Sequence, residues 1–216
     1  MTNSNEILSN AFEGKYAIPQ FNINNLEWTK YILEECNELK SPVILCVSEG
    51  AVKYMGGYNV VFYLVKGLIK DLNTSIPVVL HLDHASSIES CKKAIDAGFT
   101  SVMIDASKYE LEENIRITNE VVNYASLKNV SVESEIGHIG GTEDEVSSDI
   151  YYAKTDECIR LYNETKINSL APALGSVHGF YKGMPKLNFD RMKEISEKLN
   201  IPLVLHGGTG IPDELI

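Results

Sequence analysis

The sequence has no long hydrophobic run. Stretches free of charged or strongly polar side chains last only a few residues, as in SPVILCV at 41–47. A membrane-spanning helix needs about 20 such residues, so no membrane partner is expected. Basic charge is also short: 19 Lys and Arg face 30 Asp and Glu, for a net charge of −11. Nucleic acid rewards clustered Lys and Arg, so it is not an expected partner either. Cysteine is sparse, with only Cys36, Cys46, Cys91 and Cys158 and no CxxC pair. That spacing suits neither a zinc knuckle nor a disulfide framework, and points to reduced, buried thiols in a cytoplasmic protein. Residues 1–15, MTNSNEILSNAFEGK, lack the basic start and apolar stretch of a signal peptide. No GxGxxG follows the first apolar run, and no P-loop is present.

What is present is an ordinary globular composition, with 44% apolar and 23% charged residues among 216. No break in composition marks a linker, so one domain over 1–216 is expected. Seven short apolar runs rich in Val, Ile and Leu recur along the chain, at 16–23, 41–48, 76–84, 100–107, 130–137, 169–175 and 201–207. Several are continuous rather than alternating, as strands covered on both faces should be. Between them lie segments of helical period at 26–40, 59–73, 88–98, 111–129, 155–166 and 189–200. In the first, Leu26, Ile32, Leu33, Cys36 and Leu39 fall near one face. Pro42, Pro77 and Pro202 sit at strand starts, where a missing amide is tolerated. Gly98 suits a left-handed helix cap. Repeated strand–helix alternation implies a parallel α/β fold, and seven units favour a (β/α)8 TIM barrel over a doubly wound sheet.

In such barrels the chemistry sits at the C-terminal ends of the strands. The residues ending the apolar runs are Asn22, Asn24, Ser48, His81, Asp83, His84, Asp105, Glu133, Glu135 and His206, with His178 three residues past the sixth run. His84, His178 and His206 come from three separate strand ends. Three imidazoles with an open position suit catalytic zinc. The spacing alone equally allows three unrelated hydrogen-bonded residues. Asp83 and His84 are adjacent, so regular alternation aims them to opposite faces. Both reach one cavity only where the strand frays. Asp105 and Glu135 could cap loops or support a second metal position. Glu143 lies in GGTEDE at 140–145, either a solvated turn or a glycine-hinged loop carrying a base. HGGTG at 206–210 offers amides and a hydroxyl for a phosphate nest, with Lys182 as a nearby cation.

These segments together resemble the class II, zinc-dependent fructose-bisphosphate aldolases of bacterial type. The resemblance rests on GKYAIPQFNINNLEW, SPVILCVSEGA, HLDHASS, AGFTSVMIDAS, SVESEIGHIGGTEDE, LAPALGSVHGFYKG and PLVLHGGTGIP, in that order along nearly the whole chain. It implies His84, His178 and His206 as zinc ligands. Asp83 corresponds to the acid/base at the C4 hydroxyl, and Glu143 to the base acting on the dihydroxyacetone phosphate carbon. Asp105 and Glu135 match residues lining an alternative metal position. Gly179 and Gly207 fall where backbone carbonyls hold a monovalent cation, K+ or Na+. Lys182, Gly208 and Thr209 match phosphate contacts, and Asn22 and Ser48 match substrate-side positions. No lysine ends an apolar run, so imine chemistry has no obvious candidate.

The implied activity is reversible cleavage of fructose 1,6-bisphosphate to two triose phosphates in glycolysis and gluconeogenesis, by a homo-dimer or tetramer when full length. Tagatose-bisphosphate aldolase is the close alternative. There are two departures. His138 stands where the family carries a small residue, and it reads as a harmless rim residue rather than a stray metal ligand. The family also continues beyond the position of Ile216 with an eighth strand and C-terminal helices. A C-terminally truncated barrel of about seven βα units is therefore expected, with a non-catalytic fragment as the third reading.

Overall fold

The computed structural model describes residues 1–143, 146–148, 152–181 and 183–215, with the backbone alone described at 140–143 and 146–148. The chain forms two compact units: Met1–Ile104 with Glu120–Val132, and Asp105–Asn119 with Glu133–Ile216.

The first unit holds β1 (Gln20–Asn22), β2 (Val43–Ser48), β3 (Val78–Ala85) and β4 (Ser101–Ile104). They pair in parallel and in chain order. All six residues of β2 are buried, as its continuous apolar run requires. Pro42 and Pro77 immediately precede β2 and β3. Helices α2 (Leu26–Glu38), α3 (Glu49–Met55), α4 (Tyr58–Asp71) and α5 (Ile88–Ala97) fill the connections. Gly98 ends α5 at φ 107°, where a side chain would strike the Phe62 ring. In α2 the buried face is Thr29, Leu33 and Cys36. Leu26 and Leu39, grouped with that face by their period, are exposed. They are the first residue of the helix and its C-cap.

Two helices have no counterpart among the periodic segments: the short α3, and α1 (Ser4–Gly14), which is capped by Asn3. Its Ile7 packs with Ile44, Cys46 and Val79. Ser4 bonds Ser131, and Thr2 N–H donates to the Val78 carbonyl at 2.9 Å. It therefore lies at the N-terminal strand ends, opposite the polar residues. Its buried residues are Ser4, Ile7 and Ala11, so only one large apolar side chain marks the buried face.

The strand β5 (Ser131–Ile136) and the helix α6 (Leu111–Ser126) contribute to both units. In the second unit β5 pairs in parallel with β8 (Ser169–Pro172), Glu133 opposite Ser169. The seventh apolar run is held beside β8 by a Leu170–Leu203 bridge and by Val204 N–H donating to the Leu170 carbonyl at 2.8 Å. Helices α7 (Thr155–Thr165) and α8 (Phe189–Leu199) bury Cys158, Leu161, Ile195 and Leu199. A small second sheet joins β7 (Val146–Ser148), β6 (Gly140–Glu143) and β9 (Val177–His178) in that order. The GGTE segment is thus a strand rather than an open loop.

Candidate active site

In the first unit, the ends of β1, β2 and β3 carry the candidate residues. Asn22 ends β1 and donates from Nδ2 to Asp83 Oδ2 at 3.2 Å. Asp83 is buried and faces Ser48 in register. Ser48 accepts from Ala51 N–H at 3.2 Å and caps α3, so its hydroxyl is engaged structurally. His81 shares a face of β3 with Asp83, two residues on. Its Nδ1 lies 2.8 Å from Ser101 Oγ. Ligand atoms of Cys46, His81 and Asp83 all lie within 4.8 Å of one another, and the three residues are buried. The sequence places His81 among the residues that end the apolar runs, and Cys46 only among the buried thiols. The strand register, Cys46 opposite His81, is what brings them together.

Regular alternation would separate Asp83 from His84, but β3 is not regular there. Leu82 pairs with Val102 and Ala85 with Ile104, so Asp83 and His84 together oppose Met103 alone. His84 has φ 44°, rare for a side chain of this size. This is a β-bulge, which inserts one residue and re-aims the side chains around it. The simple two-residue period that sets these neighbours apart does not hold at this strand end.

In the second unit, Asp105 follows the end of β4. Its Oδ1 accepts from Ser107 N–H at 3.1 Å and from Ser107 Oγ at 2.7 Å. The one Ser107 hydroxyl proton is thereby committed, so the 3.0 Å contact with His138 Nδ1 is a donation from the imidazole. His138 thereby joins the Asp105–Ser107 hydrogen-bonded chain. Glu133 and Glu135 share a face of β5 and are both buried. Glu135 Oε1 accepts from Ile139 N–H at 3.3 Å, and its backbone carbonyl accepts from Asn114. Glu133 Oε1 lies 2.8 Å from His206 Nε2.

The rings of His178 and His206 are 6.0 Å apart between centroids and perpendicular, at 89°. Tyr181 fixes the backbone between them. Its hydroxyl donates to the Gly207 carbonyl at 2.8 Å and accepts from Val177 N–H at 3.1 Å. Sequence reasoning missed Tyr181, since a lone tyrosine beside a histidine carries no spacing signal. Gly207 has φ 68°, and a Cβ there would sit 2.4 Å from the Val177 carbonyl oxygen. Only glycine allows this approach. Gly208 faces open space, Gly179 has φ 87°, and Thr209 is exposed. Strand β6 pairs with β9, Gly141 opposite His178. Backbone register therefore puts Glu143 two residues beyond His178's partner. The Glu143 side chain and all of Lys182 lie outside the described residues. None of the described strands contains a lysine.

Buried carboxylates and imidazoles at the C-terminal ends of parallel strands define an enzyme of the (β/α)8 class. Residues 2–216 match the family described as fructose-bisphosphate aldolase class-II. A fructose-bisphosphate aldolase of Geobacillus stearothermophilus is 60% identical over 98% of this chain and 74% of its own length. One from Staphylococcus aureus strain Mu50 is 59% identical, covering 96% of this chain and 73% of the relative. Among solved structures, the YdjI aldolase of Escherichia coli K12 superposes with a TM-score of 0.85. It is 32% identical and is matched over 99% of this chain and 76% of that one. The chain belongs to the class II fructose-bisphosphate aldolase family. No helix among the described residues is long and apolar enough to cross a membrane.

Proposed function

We propose that the chain cleaves fructose 1,6-bisphosphate to dihydroxyacetone phosphate and glyceraldehyde 3-phosphate, and catalyses the reverse condensation. The observation that carries this is 60% identity to a fructose-bisphosphate aldolase across 98% of the chain.

His84, His178 and His206 would hold the Zn2+. Three neutral imidazoles with an open position suit that ion, and the 6.0 Å separation of the His178 and His206 rings is in keeping with it. When bound, a Lewis-acidic dication stabilises the negative charge left on the triose as the carbon–carbon bond breaks. Asp83 takes the proton from the C4 hydroxyl, and C4 becomes the aldehyde carbon. The C3–C4 bonding pair stays on C3. Glu143 then delivers a proton to that carbon, and the two roles reverse in condensation. The β6–β9 pairing, which runs the Glu143 strand beside His178, supports this assignment.

Asn22 and Ser48 lie on the substrate side of Asp83. Asp105 and Glu135 line an alternative metal position. Lys182, Gly208 and Thr209 contact phosphate, and the carbonyls of Gly179 and Gly207 hold K+ or Na+. The chain acts as one barrel domain, in a homo-dimer or tetramer in the cytoplasm.

The test is triose phosphate release by the purified chain with fructose or tagatose bisphosphate, before and after chelation and zinc add-back. Zinc-restored cleavage favouring the fructose substrate is expected. Preference for the tagatose substrate overturns the substrate assignment. Zinc binding without turnover favours the non-catalytic reading.

A further inference from the structure

Glu133 is buried deeply for a carboxylate, its side chain only 4% exposed and that of His206 5%. Burying a charged group costs several kcal/mol, and a well-packed apolar pair of similar volume is often at least as stable. Packing does not explain a glutamate here. Its contacts are specific. Oε1 lies 2.8 Å from His206 Nε2, and Oε2 accepts from Ser169 Oγ at 3.4 Å. Both contacts follow from the sheet: Glu133 and Ser169 are register partners, and the bridge at Leu203 brings the His206 segment alongside β8.

An imidazole that ligates a metal must present one bare nitrogen, and its other nitrogen needs a partner for its proton. With Nε2–H donating to Glu133, the lone pair is on Nδ1. We propose that Glu133 is a positioning residue. It holds His206 in the Nε2–H tautomer, fixes the ring perpendicular to His178, and leaves Nδ1 as the metal-facing atom. This rests on the reading of His206 as a zinc ligand. Ser169 donates to the second carboxylate oxygen and so helps to restrain the Glu133 side chain.

The experiment measures Zn2+ affinity of the 216-residue chain by competition with a chromophoric chelator. Thermal midpoints of the metal-free proteins and the visible spectrum of the Co2+ forms are recorded alongside. The proteins are wild type, Glu133→Gln, Glu133→Ala, His206→Ala and the double variant Glu133→Gln/His206→Ala. Loss of this kind of support lowers metal affinity about 10–100-fold. We expect affinity to fall in the order wild type, Gln, Ala, because the Gln carbonyl still accepts the Nε2 proton without the charge. The Gln variant should keep the metal-free midpoint of wild type but shift the Co2+ bands, which a merely structural role would not do. In the His206→Ala background, Glu133→Gln should cause no further loss. Zinc affinity within twofold of wild type in both single Glu133 variants overturns the role of Glu133 alone. A wild-type chain that binds no zinc overturns the ligand reading with it.

Discussion

Asn22 reaches from the end of β1 to the end of β3 and donates to Asp83 across 3.2 Å. These strands are not neighbours; β2 lies between them. The contact therefore joins two side chains above the sheet rather than along one strand pair. It gives the buried Asp83 carboxylate a neutral donor, which orients it without adding a counter-charge.

Replacing Asp83 with Asn removes the proposed proton acceptor. Turnover of fructose bisphosphate should fall by about 10²–10⁴, the usual contribution of a positioned acid/base. Zinc content, measured on the same samples, should stay at the wild-type level. Asn22→Ala should have a smaller effect, since it leaves the carboxylate but frees its orientation. A variant Asp83→Asn with normal turnover would refute the assignment.

Gly207 and Gly208 are neighbours with opposite tolerance. A Cβ at Gly207 would meet the Val177 carbonyl oxygen at 2.4 Å, at φ 68°, while one at Gly208 meets nothing within 4 Å. Gly207→Ala should destabilise the chain by about 1–3 kcal/mol through backbone strain. Gly208→Ala should be near neutral. Urea unfolding midpoints of the two variants measure the difference.

The four thiols are buried and free of disulfides. Burial pushes the Cys36 and Cys91 thiols up, with a nearby glutamate adding to each. Cys158 is pushed from 9.0 to about 12, by burial first and then by the Glu157 carboxylate. A thiol reagent at pH 8 should leave the folded protein unmodified and titrate four cysteines in denaturant.

The same shift has a sign for stability. Between pH 9 and about 12 the unfolded Cys158 ionises while the folded one keeps its proton. Its contribution is complete below pH 9 and is lost as pH rises towards the folded value. Each pH unit in that window removes at most about 1.4 kcal/mol. Cys158→Ala should therefore lose less stability than wild type between pH 8 and pH 10.5, by urea unfolding.

The strand–helix alternation, the strand starts at Pro42 and Pro77, and the cap at Gly98 were legible because each depends on residues close in sequence. The strand-end residues were legible for the same reason: an apolar run ends where polar residues begin. The exceptions are instructive. Helix α1 buries one large apolar side chain, Ile7, beside the small Ser4 and Ala11, and so lacks a clear period. Leu26 and Leu39 follow the helical period of α2 but are its first residue and its C-cap, and both stay exposed. The bulge at His84 leaves no local mark, because it is visible only against the register of β4.

By itself, the sequence determined the α/β class, the family and the set of polar residues ending each strand, since hydrophobic periodicity and ordered motifs are properties of short segments. Tertiary structure decided which of those residues meet. Glu133 and His206 are 73 residues apart, and Asn22 and Asp83 are 61 apart. Nothing local distinguishes Glu133 from Glu135, two residues away on the same face. A buried polar group takes whichever partner long-range packing brings within hydrogen-bond reach, and that choice exists only once the strands are in register.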